Sequence, residues 1–319
     1  MPFGITMGEK KTVICFEGVN NQIWKIQSRF NEKQVSVFKK YCERAKKYLG
    51  IDFHQQLLDG KSCDKLKNAY NELNLTYISN CAILEFLLDS GVEPDAFVGY
   101  SLGVNSACVC SDAISYEDGL EINRLLFKSM CYSFEKFDYA MSLVVGFSED
   151  TLREIFSGFG YDHSIVDIAS ANSPYSFLLV GNGTALDKMG QYFMDKGAIL
   201  VNKIESYIPF HYNMKEKWLT DNVDKFANFK VREMRYKVFS PYKYRYLDDG
   251  KEVIDELINN VYSRINWEKA VQSIEGMNYR AFVDVSITGS NKRITQLNNE
   301  ESRFYTLKNY KLVLEKDQR

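Results

Sequence analysis

The segment Gly99-Tyr100-Ser101-Leu102-Gly103 carries the strongest chemical signal in the chain. It is a Gly-x-Ser-x-Gly set between the apolar run Ala96-Phe97-Val98 and an apolar stretch from Val104 to Cys110, so it reads as strand, sharp turn and helix. Glycine has no Cβ, so a strained turn built on it can project the serine hydroxyl. The following helix then aims its N-terminal N–H groups at negative charge developing beside that hydroxyl. Such a serine is a candidate nucleophile, and a nucleophilic serine needs a base. The chain has 3 histidines. His54, in Ile51-Asp52-Phe53-His54-Gln55, reads as a polar helix or loop position, and His163, after Gly160-Tyr161-Asp162, as a solvated loop residue. His211, in Ile208-Pro209-Phe210-His211-Tyr212, falls where one run of elements hands over to another. A cleft forms at such a junction, which favours His211 as the base.

The elements that must hold these residues alternate in two rhythms. Thr12 to Phe16 reads as a buried strand, followed by the turn-rich stretch Glu17 to Gln22. Helical patterns then dominate to about residue 90, where Gly91 caps the last of them. From about 140 to 205 the order is strand, helix, strand, strand, helix, strand, which is the ferredoxin-like βαββαβ pattern. Afterwards the chain alternates again: a helix near 213–227, strands around 229–240, helices near 250–263 and from Trp267 to Gly276, and a strand Ala281 to Ser286. The expected class is α/β. Residues 1–138 and 207–319 form a hydrolase-like large domain with a mainly parallel sheet, and 139–206 form an inserted ferredoxin-like small subdomain. Ser101 and His211 should face each other across the cleft between them. The charged residues after about 300 read as a terminal strand or tail.

Composition narrows the function. With 40 Lys+Arg against 42 Asp+Glu and a net charge of −2, both signs spread along the chain, nothing attracts a nucleic-acid backbone or an anionic membrane. No run approaches the ~20 apolar residues of a membrane span, and the first residues show no cleavable leader. A cytoplasmic protein is expected. Seven cysteines, an odd number in apolar or helical contexts, read as reduced packing residues. Cys108 and Cys110 lack a second pair or a nearby histidine, so no metal is expected.

At this point the residues resemble a known family, the malonyl-CoA:acyl carrier protein transacylases and the related acyltransferase domains of fatty acid and polyketide synthases. The resemblance is collinear from about residue 12 to 290. Phe16-Glu17-Gly18-Val19-Asn20-Asn21-Gln22 stands where the family writes FPGQGSQ, and the Ser101 turn stands for its GHSLG. Ala171-Asn172-Ser173-Pro174 through Gly181 matches its hairpin, and the His211 segment matches its histidine segment. Leu257 to Trp267 and Phe282-Val283-Asp284-Val285 match later stretches. The resemblance implies a Ser101–His211 dyad that exchanges acyl groups in two steps, with an oxyanion hole of the Leu102 and Val19 backbone N–H groups. It further implies that the backbone carbonyl of Asn260 orients the imidazole, and that Leu126, Asn172 and Phe210 line the pocket. No tightly bound cofactor is implied. The phosphopantetheine arm of CoA or of acyl carrier protein is the substrate handle, acyl carrier protein is the partner, and the chain is expected to be a monomer.

The departures bear on substrate. Malonyl-loading members carry an arginine about 25 residues past the serine, where the guanidinium pairs with the free carboxylate of the substrate. Here that position is Leu126; Arg124 and Lys128 are two residues away on either side, and two residues turn a helical side chain by about 200°. A malonate carboxylate would be buried there without a counter-charge, so neutral acyl groups are expected instead. Stand-alone members without the arginine resemble the proofreading acyl hydrolases of polyketide biosynthesis that work on acyl carrier protein, and that is the first expectation. Transfer of acetyl or another neutral acyl group between CoA and a carrier protein is the alternative, with malonyl transfer behind it. A non-catalytic docking scaffold is disfavoured by the intact Ser101 turn and His211.

Overall fold

The computed structural model describes residues 11–204, 210–212 and 217–314. Strand β1 (Lys11–Phe16) is buried from Thr12 onward on both faces, as a central strand of a parallel sheet must be. Helix α1 (Glu32–Leu49) opens on a capping box between Asn31 and Gln34 and stops at Gly50 in the left-handed conformation, φ 73°. A short α2 (Phe53–Asp59) leads to α3 (Lys65–Asp89), whose lysine-rich first turn is capped by Asp64 and whose stretch from Tyr70 to Leu87 is almost wholly buried. Strand β2 (Ala96–Gly99) turns directly into α4 (Leu102–Cys110), and α5 (Tyr116–Lys136) follows behind a second capping box, Ser115 with Asp118.

The small subdomain runs β3 (Tyr139–Val145), α6 (Glu149–Gly158), β4 (Val166–Ser173), β5 (Ser176–Asn182), α7 (Gly183–Asp195) and β6 (Leu200–Ile204). The chain then continues through α8 (Lys217–Val223), β7 (Lys237–Ser240), β8 (Arg245–Tyr246), α9 (Gly250–Tyr262), β9 (Ile265–Asn266), α10 (Trp267–Gly276), β10 (Tyr279–Asp284) and β11 (Arg303–Tyr305). Two sheets result. The large one has strand order β11-β10-β1-β2-β7-β8, parallel throughout except for the final β7–β8 pair. Helices α3, α4 and α5 cover one of its faces and Trp267 of α10 anchors the other, giving the layered α/β core. The small sheet has order β6-β3-β5-β4-β9 and its own core around Leu152, Phe156, Leu179, Met189 and Phe193.

The structure departs from the sequence reading in three places. The strand content expected over 229–240 is confined to β7, because Arg232 N–H and Arg235 N–H donate to the carbonyls of Ala113 and Ser111 instead of to a sheet. The helix expected near 213–227 is α8 followed by a 3-10 turn, Asp224–Asn228; residues 213–216 lie outside the described residues. The small sheet also takes a fifth strand from outside the 139–206 segment: β9 pairs parallel with β4, Ser170 opposite Ile265. That pairing joins the two halves of the molecule through hydrogen bonds. Among the described residues no helix is long and apolar enough to cross a membrane.

Candidate active site

The turn after β2 is shaped by lack of room. Phe16 lies opposite Gly99 in the β1–β2 register, and Tyr100 N–H donates to the Phe16 carbonyl at 3.0 Å, so β2 stays pinned to β1 up to the serine. A Cβ on Gly99 would come within 2.1 Å of Gly103 and Val104 backbone atoms, and one on Gly103 within 2.2 Å of the Phe16 carbonyl oxygen. Both glycines are therefore demanded by the close approach of α4 to the strand ends. Ser101, caught between them, has φ 53° and ψ −123°, a strained backbone that a non-glycine residue holds only where its surroundings over-determine it.

Facing it, His211 Nε2 lies 2.8 Å from Ser101 Oγ. His211 is also in the left-handed region, φ 58°, and is 3 % exposed. Burial pushes its pKa down to about 4, so the imidazole is neutral at ordinary pH and can accept the serine proton. Its backbone N–H donates to the carbonyl of Val261 at 2.9 Å. The backbone of Ser263 raises the imidazole pKa against the larger effect of burial; stabilising the protonated ring is the action of a carbonyl acceptor. No described group meets Nδ1 with full hydrogen-bond geometry. The carbonyls found at His211 are those of residues next to Asn260, Val261 on the backbone N–H and Ser263 acting on the imidazole; α9 ends at Tyr262, and the carbonyls of a last helical turn are the ones left free. The Asn260 side chain instead accepts from Tyr242 Oη at 2.7 Å. Of the other histidines, His163 is exposed and His54 half-buried on α2, and neither lines the cavity at this pair.

A cavity of about 620 Å³ opens at Ser101 and His211. Leu126 and Met130 of α5, Met141 of β3, Leu178 of β5 and Phe210 form much of its apolar wall, while Asn172 and Asn260 add polar groups. Asn172 Oδ1 accepts from Tyr100 Oη at 2.9 Å and Ser170 Oγ at 2.8 Å. Leu126 is 7 % exposed. Arg124 is on the outer side of α5, bound to Glu121 at 2.6 and 2.7 Å, and Lys128 is exposed. Lys61, Lys65 and Lys203 border the cavity; Lys61 is ion-paired with Glu72 at 2.8 Å and Lys203 with Asp187 at 2.7 Å. Leu102 and Val19 border it beside the serine, Leu102 as the first residue of α4, where the N–H has no partner within the helix.

One residue near the site gave no signal in the sequence. Glu17 reads as part of a polar turn, yet it is fully buried beneath the loop carrying Gly18 and Val19. Its Oε2 accepts from Asn20 Nδ2 at 2.8 Å and from Ser290 Oγ at 2.7 Å. Burial raises its pKa to about 7, with a smaller push from Asp284, itself raised to about 6 by burial. Asn20 Nδ2 also donates to Thr288 Oγ1 at 3.2 Å, so the Val19 loop is tied to the segment after β10 through this carboxyl. Only the three-dimensional return of the chain at 286–290 makes a polar turn residue into a buried one.

No protein-family model matches the chain. Over 292 residues it is 24% identical to a malonyl CoA-acyl carrier protein transacylase of Buchnera aphidicola subsp. Baizongia pistaciae, covering 89% of this chain and 92% of that one. Among solved structures, a malonyl-CoA:acyl carrier protein transacylase of Xanthomonas oryzae superposes with a TM-score of 0.81 at 18% identity, covering 97% of this chain and 99% of that one. A malonyl-transacylase solved in complex with a type II PKS acyl-carrier protein superposes with a TM-score of 0.78 at 18% identity, covering 96% and 100%. This chain shares the fold of both solved structures.

Proposed function

We propose that this chain, an enzyme of the malonyl-CoA:acyl carrier protein transacylase family, carries neutral acyl groups from one thioester to the thiol of another carrier through Ser101. The observation that carries the reading is the apolar wall at Leu126: Arg124 is turned outward onto Glu121, Lys61 and Lys203 are paired with carboxylates, and Lys65 borders the cavity from the first turn of α3, on a different element from that wall. A substrate carboxylate buried against that wall would cost several kcal/mol without a paired cation, whereas a saturated acyl chain gains from the same surface.

His211, neutral because it is buried, takes the proton from Ser101 Oγ as the oxygen attacks the thioester carbonyl. Charge then gathers on the carbonyl oxygen, where the Leu102 and Val19 N–H groups donate to it; Glu17, through Asn20, holds the Val19 loop in place. As the tetrahedral centre collapses, the C–S bond breaks and His211 returns the proton to the departing thiolate, leaving an ester on Ser101. In the second half the incoming phosphopantetheine thiol gives its proton to His211, its sulfur attacks the ester, and Ser101 recovers the proton as the C–O bond breaks. The relatives are transacylases, which favours a thiol over water as the acceptor. Acyl carrier protein is the natural bearer of that thiol, and no bound cofactor is needed. A role in polyketide biosynthesis has support in the structural likeness to the PKS malonyl-transacylase.

The test is intact-protein mass spectrometry on carrier proteins loaded with acetyl, butyryl or malonyl groups, with a second unloaded carrier present. Movement of acetyl or butyryl to the second carrier, with malonyl retained, is the expected result. Loss of the acyl group to water would establish a hydrolase, and rapid malonyl movement would overturn the neutral-acyl reading.

A further inference from the structure

His211 is held from two sides. Its backbone N–H donates to the Val261 carbonyl at 2.9 Å, on the last turn of α9 in the large domain. The next residue, Tyr212, is planted in the small subdomain: its ring is buried among Met141, Ala169 and Val180, and its Oη donates to the His163 carbonyl. The place of the imidazole beside Ser101 therefore depends on how the small subdomain sits against the end of α9. Two adjoining ties set that relation. Strand β9 is only two residues long and pairs with β4, Ile265 opposite Ser170 and Asn266 opposite Ala171. Immediately before it, Arg264 reaches Glu149 at the start of α6, Nη1 to Oε1 at 2.7 Å and Nη2 to Oε2 at 2.5 Å. Two parallel bonds of this kind fix direction as well as distance. Arg264 is also the largest cause that holds the Glu149 pKa down to about 2, so the carboxylate is charged at ordinary pH. Both side chains are partly exposed, and neither lines the cavity.

We propose that Arg264 is a positioning residue for the reaction: its paired bonds to Glu149 strap the small subdomain to the end of α9 and so keep His211 Nε2 within hydrogen-bond reach of Ser101 Oγ. The coupling path is short. Val261, which binds the His211 backbone, is three residues before Arg264, and Ser263, whose backbone acts on the imidazole, is its neighbour. A two-residue strand pairing alone leaves this segment free to pivot, and a misplacement of about 1 Å between reacting groups can cost about 10²-fold in rate. Arg153 supplies the contrast. It binds the same carboxylate, Nη2 to Oε1 at 2.8 Å, but from within α6, and its second ion pair, with Asp167 of β4, also stays inside the small subdomain. This inference rests on the Ser101–His211 reading above and is independent of which acyl group the serine carries.

The deciding experiment uses an alkyl fluorophosphonate, which modifies an activated serine whatever its acyl preference: Ser101 Oγ bonds to phosphorus, fluoride leaves, and His211 takes the proton. Intact-protein mass spectra, recorded well below the unfolding transition, give the maximal rate and the half-saturating concentration. In Arg264→Gln the maximal rate should fall about tenfold, less than a full misplacement would cost because the β4–β9 pairing remains. The half-saturating concentration should change less than about twofold, since neither partner lines the cavity. Glu149→Gln should show the same loss, and the double variant no more than either single one, because all three remove one interaction. Arg153→Gln should match the parent. An unchanged maximal rate in Arg264→Gln, an equal loss in Arg153→Gln, additive losses in the double variant, or a change confined to Tm would each overturn the proposal. Should Arg264→Gln not fold, Glu149→Gln breaks the same bonds from the other side. If Ser101 of the parent takes neither the fluorophosphonate nor any acyl group, the dyad reading itself fails; if it reacts and the arginine variant reacts equally fast, only this inference fails.

Discussion

The two sides of the dyad hold the same unusual backbone by different means. Ser101 and His211 both have positive φ, 53° and 58°. On the serine side, conformation is imposed by exclusion: Gly99 and Gly103 leave no space for a Cβ, Gly18 leaves little, and strands β1 and β2 fix what they pack against. On the histidine side it is imposed by attachment, one backbone hydrogen bond to Val261 and burial of the ring. A position defined by exclusion cannot relax when changed, whereas one defined by attachment can lose a partner and stay nearly in place.

The largest effect comes from removing the reacting groups. Ser101→Ala should abolish acyl-enzyme formation in intact mass spectra, and His211→Ala should slow acylation by about 10²–10⁴-fold. Residual ester formation in Ser101→Ala would mean that another nucleophile does the work. The two supports can then be compared directly. Gly103→Ala forces a Cβ into the Phe16 carbonyl and should lower unfolding free energy by more than about 3 kcal/mol, measured by urea denaturation. Asn260→Ala leaves the Val261 and Ser263 carbonyls in place and should change acylation by less than about fivefold, roughly the worth of the one side-chain bond from Tyr242. A tenfold or larger loss in Asn260→Ala would restore that residue to the role its position suggests.

A change of intermediate size concerns the wall opposite the dyad. Leu126→Arg puts a guanidinium into the apolar surface at the family's carboxylate-binding position. Malonyl transfer should rise at least tenfold in relative kcat/KM while butyryl transfer falls, since a buried cation favours the one substrate that can pair with it. An unchanged ratio of malonyl to butyryl would show that Leu126 does not meet the acyl group.

The serine side was legible in the sequence because exclusion leaves a mark in residue types: glycines spaced around a serine between a strand and a helix are what a turn without room for a Cβ requires. The βαββαβ insertion was legible for the same reason, its alternation and turn residues being local. The histidine side was legible from its place at a junction of elements, by elimination among three histidines, and from the resemblance of its segment, but not from what holds it. Its supports are backbone carbonyls at the end of α9, and a carbonyl has no residue type. The β9 pairing was hidden likewise, since two residues, Ile265 and Asn266, carry no strand period. Glu17 was invisible because burial of a polar side chain depends on what the fold brings over it, here Ser290.

The smallest effect tests whether the serine side has its own attachment beneath the exclusion. Glu17 has a folded pKa of about 7 against an ordinary value near 4.5. Below pH 4.5 both folded and unfolded chains hold the proton; between 4.5 and 7 the unfolded chain has released it while the folded chain keeps it, so stability falls as pH rises, and above 7 the full cost of a buried carboxylate is present. Glu17→Gln keeps an acceptor for Asn20, Ser290 and the Ile287 backbone while removing that charge. Asp284 on β10 is the charged group that acts most on Glu17 among the described residues, and it is common to both proteins, as is Glu256, also raised to about 7, so the difference between them isolates position 17. The gain in Tm of Glu17→Gln over the parent should therefore be larger at pH 8 than at pH 4.5. An equal difference at both pH values would mean that the carboxyl is already ionised at pH 4.5, and that the loop carrying Val19 is held by a charged anchor.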